Sequence, residues 1–464
     1  MTRLSRGNQT ARRIAAPVVR FATSHRGSMA VGGIIGFVIA VARPVTGNFY
    51  YDAMVYWSSS VELVTGGDFF EVGGLVLRGA LSTLVYVPAA SATAALGPLS
   101  ANYTVLVQNA ILIGVLGAVI LPALARLFVA VRPGFVYVSS VLTAVLLGGF
   151  APYPLVDLWA VTLVLVAILI VGRSDRLVPF LVGGALLGAS VNVRPAYLVP
   201  VLLILLSWGI FYRLRALWAL AGAAVAFVPQ VVVNLIFAGS AAPWPVNTFA
   251  ISDVQTKYAG YVVRYDTLVY VPDVKSQLFY CSPPMADRFI DGTPDGAVGL
   301  AVAYLQHLPG SLKFVAQKVS ASMNWTTATP YSDLPDSEPS ALTALVVAVS
   351  VVGIVGLIWL LVRRVVPGVL RFAAPVLGLW AGTVATIGFA TPEARFAVPL
   401  VVVGVIGALV VAGALGDRVH VTWRSFAWAG GCVVLAAAIV WLGVSGLAHP
   451  GLPGDVTPGL CVLR

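Results

Sequence analysis

An aspartate surrounded by aromatic residues follows the first apolar run of the chain. Residues 48–57 read NFYYDAMVYW, which places Asp52 beside Tyr51 and one helical turn before Tyr56. A carboxylate so close to an apolar run is partly desolvated, which raises its basicity and suits a general base. The alternative is an interfacial belt of aromatic residues in which Asp52 caps a helix. We take Asp52 as a catalytic candidate, with Tyr51 and Tyr56 as substrate contacts.

A second aspartate, Asp157, stands at the start of a later apolar run, within the segment PYPLVD. A carboxylate is costly in lipid unless it lies at the membrane boundary or is paired. Asp157 is therefore predicted to be either catalytic or the partner of Arg194 or Arg43 in a salt bridge.

Four arginines lie at ends of apolar runs on the side that has few other basic residues: Arg43, Arg78, Arg194 and Arg395. A guanidinium group grips two phosphate oxygens and stays charged at every relevant pH, so these side chains suit a lipid phosphate. The alternative for each is an ordinary snorkelling arginine at a helix end. Glu393, beside Arg395, and Tyr258, in a later loop, are added as candidate substrate contacts.

The composition indicates that these residues are carried by membrane helices. Of 464 residues, 59% are hydrophobic and 10% are charged, and the mean hydropathy is +0.94. A soluble domain carries roughly a quarter charged residues. Eleven apolar runs fit the length of a membrane helix. They lie at about 29 to 45, 103 to 124, 135 to 151, 154 to 172, 177 to 193, 196 to 212, 216 to 238, 341 to 362, 368 to 390, 396 to 415 and 425 to 446.

The basic residues set the orientation of these spans. Seventeen of the 28 lie in the N-terminal tail or next to run ends on one side, which predicts a multi-pass inner-membrane protein with a cytoplasmic N-terminus. This pattern accounts for the net charge of +10 without a nucleic-acid partner. It also predicts that a twelfth apolar stretch, Gly74 to Gly97, is a juxtamembrane helix on the outer surface, because a crossing there would turn the later arginine pairs outward.

The predicted organisation follows from these spans. It comprises a cytoplasmic basic tail (1–28), a transmembrane module (29–238) with an outer loop at 46–102, a long outer loop (239–340), C-terminal spans (341–446) and an outer tail (447–464). Cys281 and Cys461 would both meet an oxidising compartment, and we predict a disulfide between them, with Cys432 free. The three cysteines have no metal-type spacing.

The first outer loop resembles the first periplasmic segment of the GT-C superfamily of membrane glycosyltransferases, above all the lipid A aminoarabinose transferases and the protein O-mannosyltransferases. The resemblance covers about residues 29 to 215 and is loose in the last third. It rests on Asp52, Tyr56, Glu62-Leu63 and Gly67-Asp68-Phe69, on Arg126 at the end of a span, and on Pro152–Asp157, Asn192–Pro195 and Pro392–Pro399. Many relatives have a second acidic residue where this chain has Ala53, which leaves Asp52 as a lone base.

The resemblance implies an all-α polytopic fold and an inverting enzyme whose active site lies outside the cytoplasm. The expected donor is a sugar on a polyprenyl phosphate, and the expected acceptor is a glycan, a glycolipid or a protein. Asp52 would deprotonate the acceptor, and the arginines would hold the donor phosphate. No metal ligands are assigned, and dependence on a divalent metal stays open. The alternative from another class is a multi-span transporter or lipid flippase of the cell envelope, which internal repeats and midplane charges would favour.

Overall fold

The chain is mostly helical, and it carries several apolar helices that fit a membrane. The structure, a computed structural model, describes residues 24–45, 48–75, 78–246, 258–269, 275–290, 292–293, 296–326, 329–331, 339–363, 368–415, 423–452 and 457–463. The predicted basic tail lies almost wholly outside these residues.

In the first half, the part of the chain that the structure describes contains helices and no strand. Its α-helices are α1 (His25–Val41), α2 (Tyr51–Val64), α3 (Phe69–Leu75), α4 (Val87–Leu96), α5 (Ala101–Val115), α6 (Leu121–Ala125), α7 (Pro133–Leu147), α8 (Asp157–Gly172), α9 (Leu177–Val193), α10 (Leu198–Tyr212) and α11 (Ala216–Ala238). A π-helical turn, Leu116–Ile120, joins α5 to α6, so these two form one long rod.

The second half adds a small sheet to further helices. Its elements are β1 (Val262–Val269), β2 (Lys275–Cys281), α12 (Pro283–Ala286), α13 (Gly296–Gln306), α14 (Leu308–Ser322), α15 (Ala341–Arg363), α16 (Leu370–Phe389), α17 (Val398–Leu415), α18 (Trp423–Gly446), β3 (Pro450–Gly451) and α19 (Pro458–Val462). β1 and β2 form an antiparallel hairpin, and β3 pairs with β2 through Phe279 and Tyr280. This sheet is not predicted from the sequence.

Seven helical segments among the described residues are long and apolar enough to cross a membrane. One of them, Pro195–Ala238, contains both α10 and α11, which a turn at Arg213–Arg215 separates. Five shorter helical stretches of the described chain are also apolar, and three of them, α1, α8 and α9, have 17, 16 and 17 residues. A polytopic helical membrane protein is therefore confirmed.

The stretch Gly74 to Gly97 is not a single helix. α3 ends at Leu75, a 3-10 helix covers Ala80–Leu84, and α4 begins only at Val87. Helices are present in this stretch as predicted, but they are interrupted, because Gly79 is extended and Pro88 lies in the first turn of a new helix. The longer apolar piece, Ala80–Leu96, is shorter than the roughly 20 residues needed to cross a bilayer, and its place along the membrane surface stays a prediction.

A buried polar network fixes the chain before α8. The side-chain amide of Asn109 on α5 donates to the carbonyls of Ala151 and Tyr153, at 3.1 and 2.9 Å. The Tyr86 hydroxyl donates to the Leu155 carbonyl at 2.6 Å. These bonds satisfy main-chain groups of a buried loop, which would otherwise cost free energy. They fix the position at which Asp157 enters the interior.

Candidate functional site

Asp52 lies in the first turn of α2 and is paired with two arginines from distant parts of the chain. Its Oδ2 atom is 3.0 Å from Nη2 of Arg78 and 2.8 Å from Nη2 of Arg395. The side chains of Asp52 and Arg78 are 26% and 23% exposed, whereas that of Arg395 is 3% exposed. Asp52 therefore lies at the accessible edge of a buried ion-pair network, and it does not cap the helix.

These ion pairs make Asp52 a weaker base than its sequence position predicts. Burial alone would raise the pKa of Asp52, but the charges of Arg78, Arg395 and Arg194 hold it well below the ordinary value of an aspartate. The expectation that desolvation makes Asp52 more basic is wrong for the state described here. A carboxylate paired in this way is a weak base until its cationic partners are drawn away.

The start of α2 is held by a residue from the long loop. The main-chain N–H of Ala53 donates to the Tyr331 hydroxyl at 3.4 Å, and this hydroxyl donates to the Tyr50 carbonyl at 3.3 Å. Tyr51, which lies between Tyr50 and Ala53 in the chain, has a φ of 50°. This backbone angle is unusual for a bulky residue and is strained. The strained residue directly precedes Asp52, so the surrounding structure imposes the direction in which α2 presents the carboxylate.

Arg78 reaches Asp52 because its neighbour, Gly79, packs tightly against the end of α9. A Cβ atom on Gly79 would lie 1.7 Å from the carbonyl oxygen of Asn192. The Asn192 side chain accepts a hydrogen bond from the Leu81 N–H at 2.7 Å, and Gln230 accepts one from the Ala80 N–H at 2.7 Å. Both bonds attach the first loop to α9 and α11, and thereby set the position of Arg78.

Arg395 lies just before α17 and is held from the other side by Glu393 and the sheet. The Arg395 side chain contacts the Glu393 carboxylate, which also accepts a hydrogen bond from the Thr267 hydroxyl at 2.9 Å. Tyr265 on β1 lies near the same carboxylate, and the Tyr265 N–H donates to the Pro392 carbonyl at 3.0 Å. Burial raises the pKa of Glu393 above its ordinary value, although the charge of Arg395 opposes this.

Glu393 thus contacts Arg395 and Thr267 and lies near Tyr265, and its side chain is 4% exposed. This geometry does not favour the predicted role of Glu393 as a substrate contact. Glu393 positions Arg395 instead.

Asp157 and Arg194 form a buried ion pair behind Asp52. Their Oδ2 and Nη1 atoms are 2.9 Å apart, and the side chains are 2% and 6% exposed. A second contact of 3.9 Å joins Asp157 to Arg395, and the Phe396 ring lies 5.0 Å from the guanidinium carbon of Arg194. This is the salt bridge that the sequence offered as an alternative to catalysis by Asp157. The pair lies where α9 ends and α8 begins.

Tyr56 lies one turn after Asp52 and is fully buried. Its hydroxyl group has no hydrogen-bond partner among the described residues. Burial raises the pKa of Tyr56, on which the charges of Arg78, Asp52 and Arg194 also act. The phenol therefore stays protonated at neutral pH, and it can donate a hydrogen bond to an oxygen atom that enters the cluster.

A narrow cleft lies beside the buried pair. Arg194, Arg395 and Asp157 lie on its wall together with apolar residues of α10, α16 and α17. The cleft holds about 20 Å³, which is room for about one water molecule. A phosphate group would fit only after the walls separate.

The structure does not bring two predicted residues to this cluster. Arg43 contacts the Val145 carbonyl at 3.4 Å, and no contact between it and Asp52 or Asp157 is present among the described residues. Tyr258 packs against Phe279, with ring centroids 5.7 Å apart, in the core of the long loop.

The predicted pairing of Cys281 with Cys461 is present as a disulfide, and Cys432 is free. Among the described residues, no group of three or more His, Cys, Asp or Glu side chains could hold a metal ion.

Tyr331 and Thr267 were not identified from the sequence. Both belong to the long loop, whose mixture of tyrosines, threonines and charges is also typical of a solvated surface. A signal existed in the richness of this loop in Tyr and Asp, but it did not point to individual positions.

Comparison with known proteins adds no relative. No protein-family model matches the chain, and no match was found among curated proteins. The assignment of function therefore rests on the residues and on the ion-pair network that joins Asp52, Arg78, Arg395, Asp157, Arg194 and Glu393.

Proposed function

We propose that this chain is an inverting membrane glycosyltransferase of the GT-C type. It moves a sugar from a polyprenyl-phosphate donor to an acceptor hydroxyl on the outer face of the cytoplasmic membrane. The observation that carries the proposal is the pairing of the partly exposed Asp52 carboxylate with two arginines, Arg78 and Arg395. A candidate base and candidate phosphate ligands thus stand within 3.0 Å of one another.

The proposal includes a fold of eleven spans. The seven helical segments that fit a membrane, one of them containing two helices, together with the three shorter apolar helices, are compatible with this number. The active site then lies at the outer ends of the spans, where α9 and α16 end and α8 and α17 begin. The charged cluster gathers at these helix ends, which favours an enzyme over a transporter with midplane charges.

Binding of the donor phosphate would activate Asp52. The phosphate competes with Asp52 for Arg78 and Arg395, and it enters the cleft beside Arg194. Loss of these ion pairs removes the charges that lower the pKa of Asp52, so the carboxylate becomes a stronger base when donor is present. Such coupling would keep the base inactive until a sugar is in place.

The reaction then has one chemical step. Asp52 takes the proton of the acceptor hydroxyl while the hydroxyl oxygen attacks the anomeric carbon of the sugar. The bond between this carbon and the phosphate oxygen breaks, and its electron pair leaves with the phosphate. Arg395, Arg194 and Arg78 stabilise the growing negative charge. The prenyl chain lies against apolar helix surfaces, where remote binding energy positions the sugar.

The test is transfer of label from radiolabelled polyprenyl-phosphate pentoses and hexoses in membranes that contain the protein. We expect Asp52→Asn to reduce transfer about 10²-fold or more while the protein remains folded. Glu71→Gln is the control, because Glu71 is an exposed carboxylate on the next helix, α3, and lies outside the pattern that carries the resemblance. Near-normal transfer by Asp52→Asn would remove Asp52 from the mechanism.

The same assay separates the alternative class. A transporter or flippase would move the labelled lipid across the membrane without releasing the sugar to an acceptor. Movement of intact donor, with no labelled acceptor under any condition, would refute the glycosyltransferase proposal.

A further inference from the structure

A second cavity lies apart from the Asp52 cluster, between the long loop and the end of α18. It holds about 280 Å³. Three basic side chains line it: Arg288, from the segment after β2, Lys313, on α14, and His449, just after α18. No Asp or Glu side chain of the described part of the chain lines it. The cavity is therefore suited to an anion.

The basic groups are held over an apolar floor. Met285 and Phe314 are buried beneath the cavity, at 3% and 1% exposure. The Arg288 guanidinium lies over Gly310, where a Cβ atom would be 2.6 Å from Nη2, so an alanine at this position would push the guanidinium aside. Arg288 and Lys313 are themselves exposed, so an anion can reach both cations from solvent or from the membrane surface.

The position of the cavity indicates the kind of anion. Trp441, Ser445 and Gly446 on its wall form the last turns of α18, at one end of a candidate span. Only 6% of this span is buried within the protein, and Trp441 is 66% exposed. An exposed apolar helix with a tryptophan near its end is typical of a surface that faces lipid at headgroup depth.

We infer that this cavity binds the phosphate headgroup of an anionic membrane lipid. Arg288 and Lys313 contact the phosphate, His449 donates a further hydrogen bond, and the acyl chains lie along the exposed face of α18. The disulfide between Cys281 and Cys461 closes the wall of the same cavity, since Cys281 is one of its lining residues. The inference does not depend on glycosyl transfer.

The test is lipid binding by the purified full-length protein, measured by native mass spectrometry. Phosphatidylglycerol is compared with phosphatidylcholine that carries the same acyl chains. We expect the wild-type protein to retain phosphatidylglycerol preferentially. The double variant Arg288→Gln/Lys313→Gln should lose roughly tenfold or more of this preference, because each basic residue near a membrane surface contributes measurably to anionic-lipid binding.

A control variant distinguishes loss of this cavity's basic residues from a general loss of positive charge. Arg173→Gln/Arg176→Gln also removes two exposed basic side chains, at the loop between α8 and α9, and should keep the preference. Gly310→Ala retains every charge but displaces the Arg288 guanidinium, so it should reduce the preference too.

Two results would overturn the inference. One is an unchanged preference in both the double variant and Gly310→Ala. The other is stabilisation of the protein by inorganic phosphate alone to the extent seen with phosphatidylglycerol, which would show a site for a soluble anion. Neither result would affect the outcome of the sugar-transfer assay with the Asp52→Asn variant.

Discussion

Removal of the charge of Asp157 should destabilise the protein strongly. Asp157 and Arg194 are 2% and 6% exposed, and their charged atoms are 2.9 Å apart. The variant Asp157→Asn keeps the shape of the side chain but leaves Arg194 buried without its carboxylate partner. Breaking a buried ion pair from one side typically costs about 3–5 kcal/mol, because the remaining charge is neither solvated nor paired.

A surface pair in the same chain supplies the control. Arg215 and Asp175 are 3.6 Å apart, and their side chains are 47% and 63% exposed. Exposed pairs contribute about 0–1 kcal/mol, so Asp175→Asn should leave stability almost unchanged. Thermal unfolding of the three proteins in one detergent, followed by circular dichroism, gives the comparison.

A double variant tests the cause of the loss. In Asp157→Asn/Arg194→Gln both charges are absent, and we expect part of the lost stability to return, since no uncompensated charge remains. If Asp157→Asn unfolds at the same temperature as Asp175→Asn, the ion pair does not stabilise the interior. If the double variant is no better than the single one, an unpaired arginine is not the cause.

Two further changes test other buried features. Lys318→Met should be almost neutral for stability at neutral pH, because the Tyr304 hydroxyl lies within hydrogen-bond distance of the same two main-chain carbonyls as the Lys318 amine and can still donate to one of them. Burial lowers the pKa of Lys318 well below its ordinary value. The wild-type protein should therefore gain stability as pH rises between the folded and the unfolded pKa, and this gain should vanish in the variant. Unfolding of both proteins across a pH series measures this gain in stability. An equal gain in both proteins would show that Lys318 is not its source. Cys461→Ser should lower the free energy of unfolding by about 2–4 kcal/mol, because the disulfide with Cys281 spans 180 residues. Loss of the mobility difference between reduced and unreduced samples on electrophoresis would accompany it, and its persistence would point to pairing with Cys432.

The sequence allowed the charged members of the cluster to be predicted, but of their pairings it offered only that of Asp157 with Arg194, as one alternative. Asp52, Arg78, Asp157, Arg194 and Arg395 all stand out because charge is rare and costly in an apolar chain. Which of them meet depends on tertiary packing, since Asp52 and Arg395 are 343 residues apart. Arg43 carries the same local signal and contacts a main-chain carbonyl instead.

The sheet was missed for a physical reason. Strands are recognised by alternation of apolar and polar residues. In β1 the polar residues Arg264, Asp266 and Thr267 are themselves buried, at 2%, 8% and 3% exposure, because they pair with one another, with carbonyl groups and with Glu393. Burial on both faces removes the relation between polarity and exposure on which the pattern depends.

Charge balance explains why Asp52, rather than another carboxylate, is suited to respond to a donor. The network contains three arginines and three carboxylates, so a bound phosphate would add negative charge to a neutral cluster. One carboxylate must then give up its cationic partners. Asp157 and Glu393 are 2% and 4% exposed, and separating either would leave a charge in a medium that cannot solvate it. Asp52, at 26% exposure, can be solvated or can take up a proton. The low pKa of the paired Asp52 is therefore compatible with a base that acts only after the donor phosphate has taken its arginine partners.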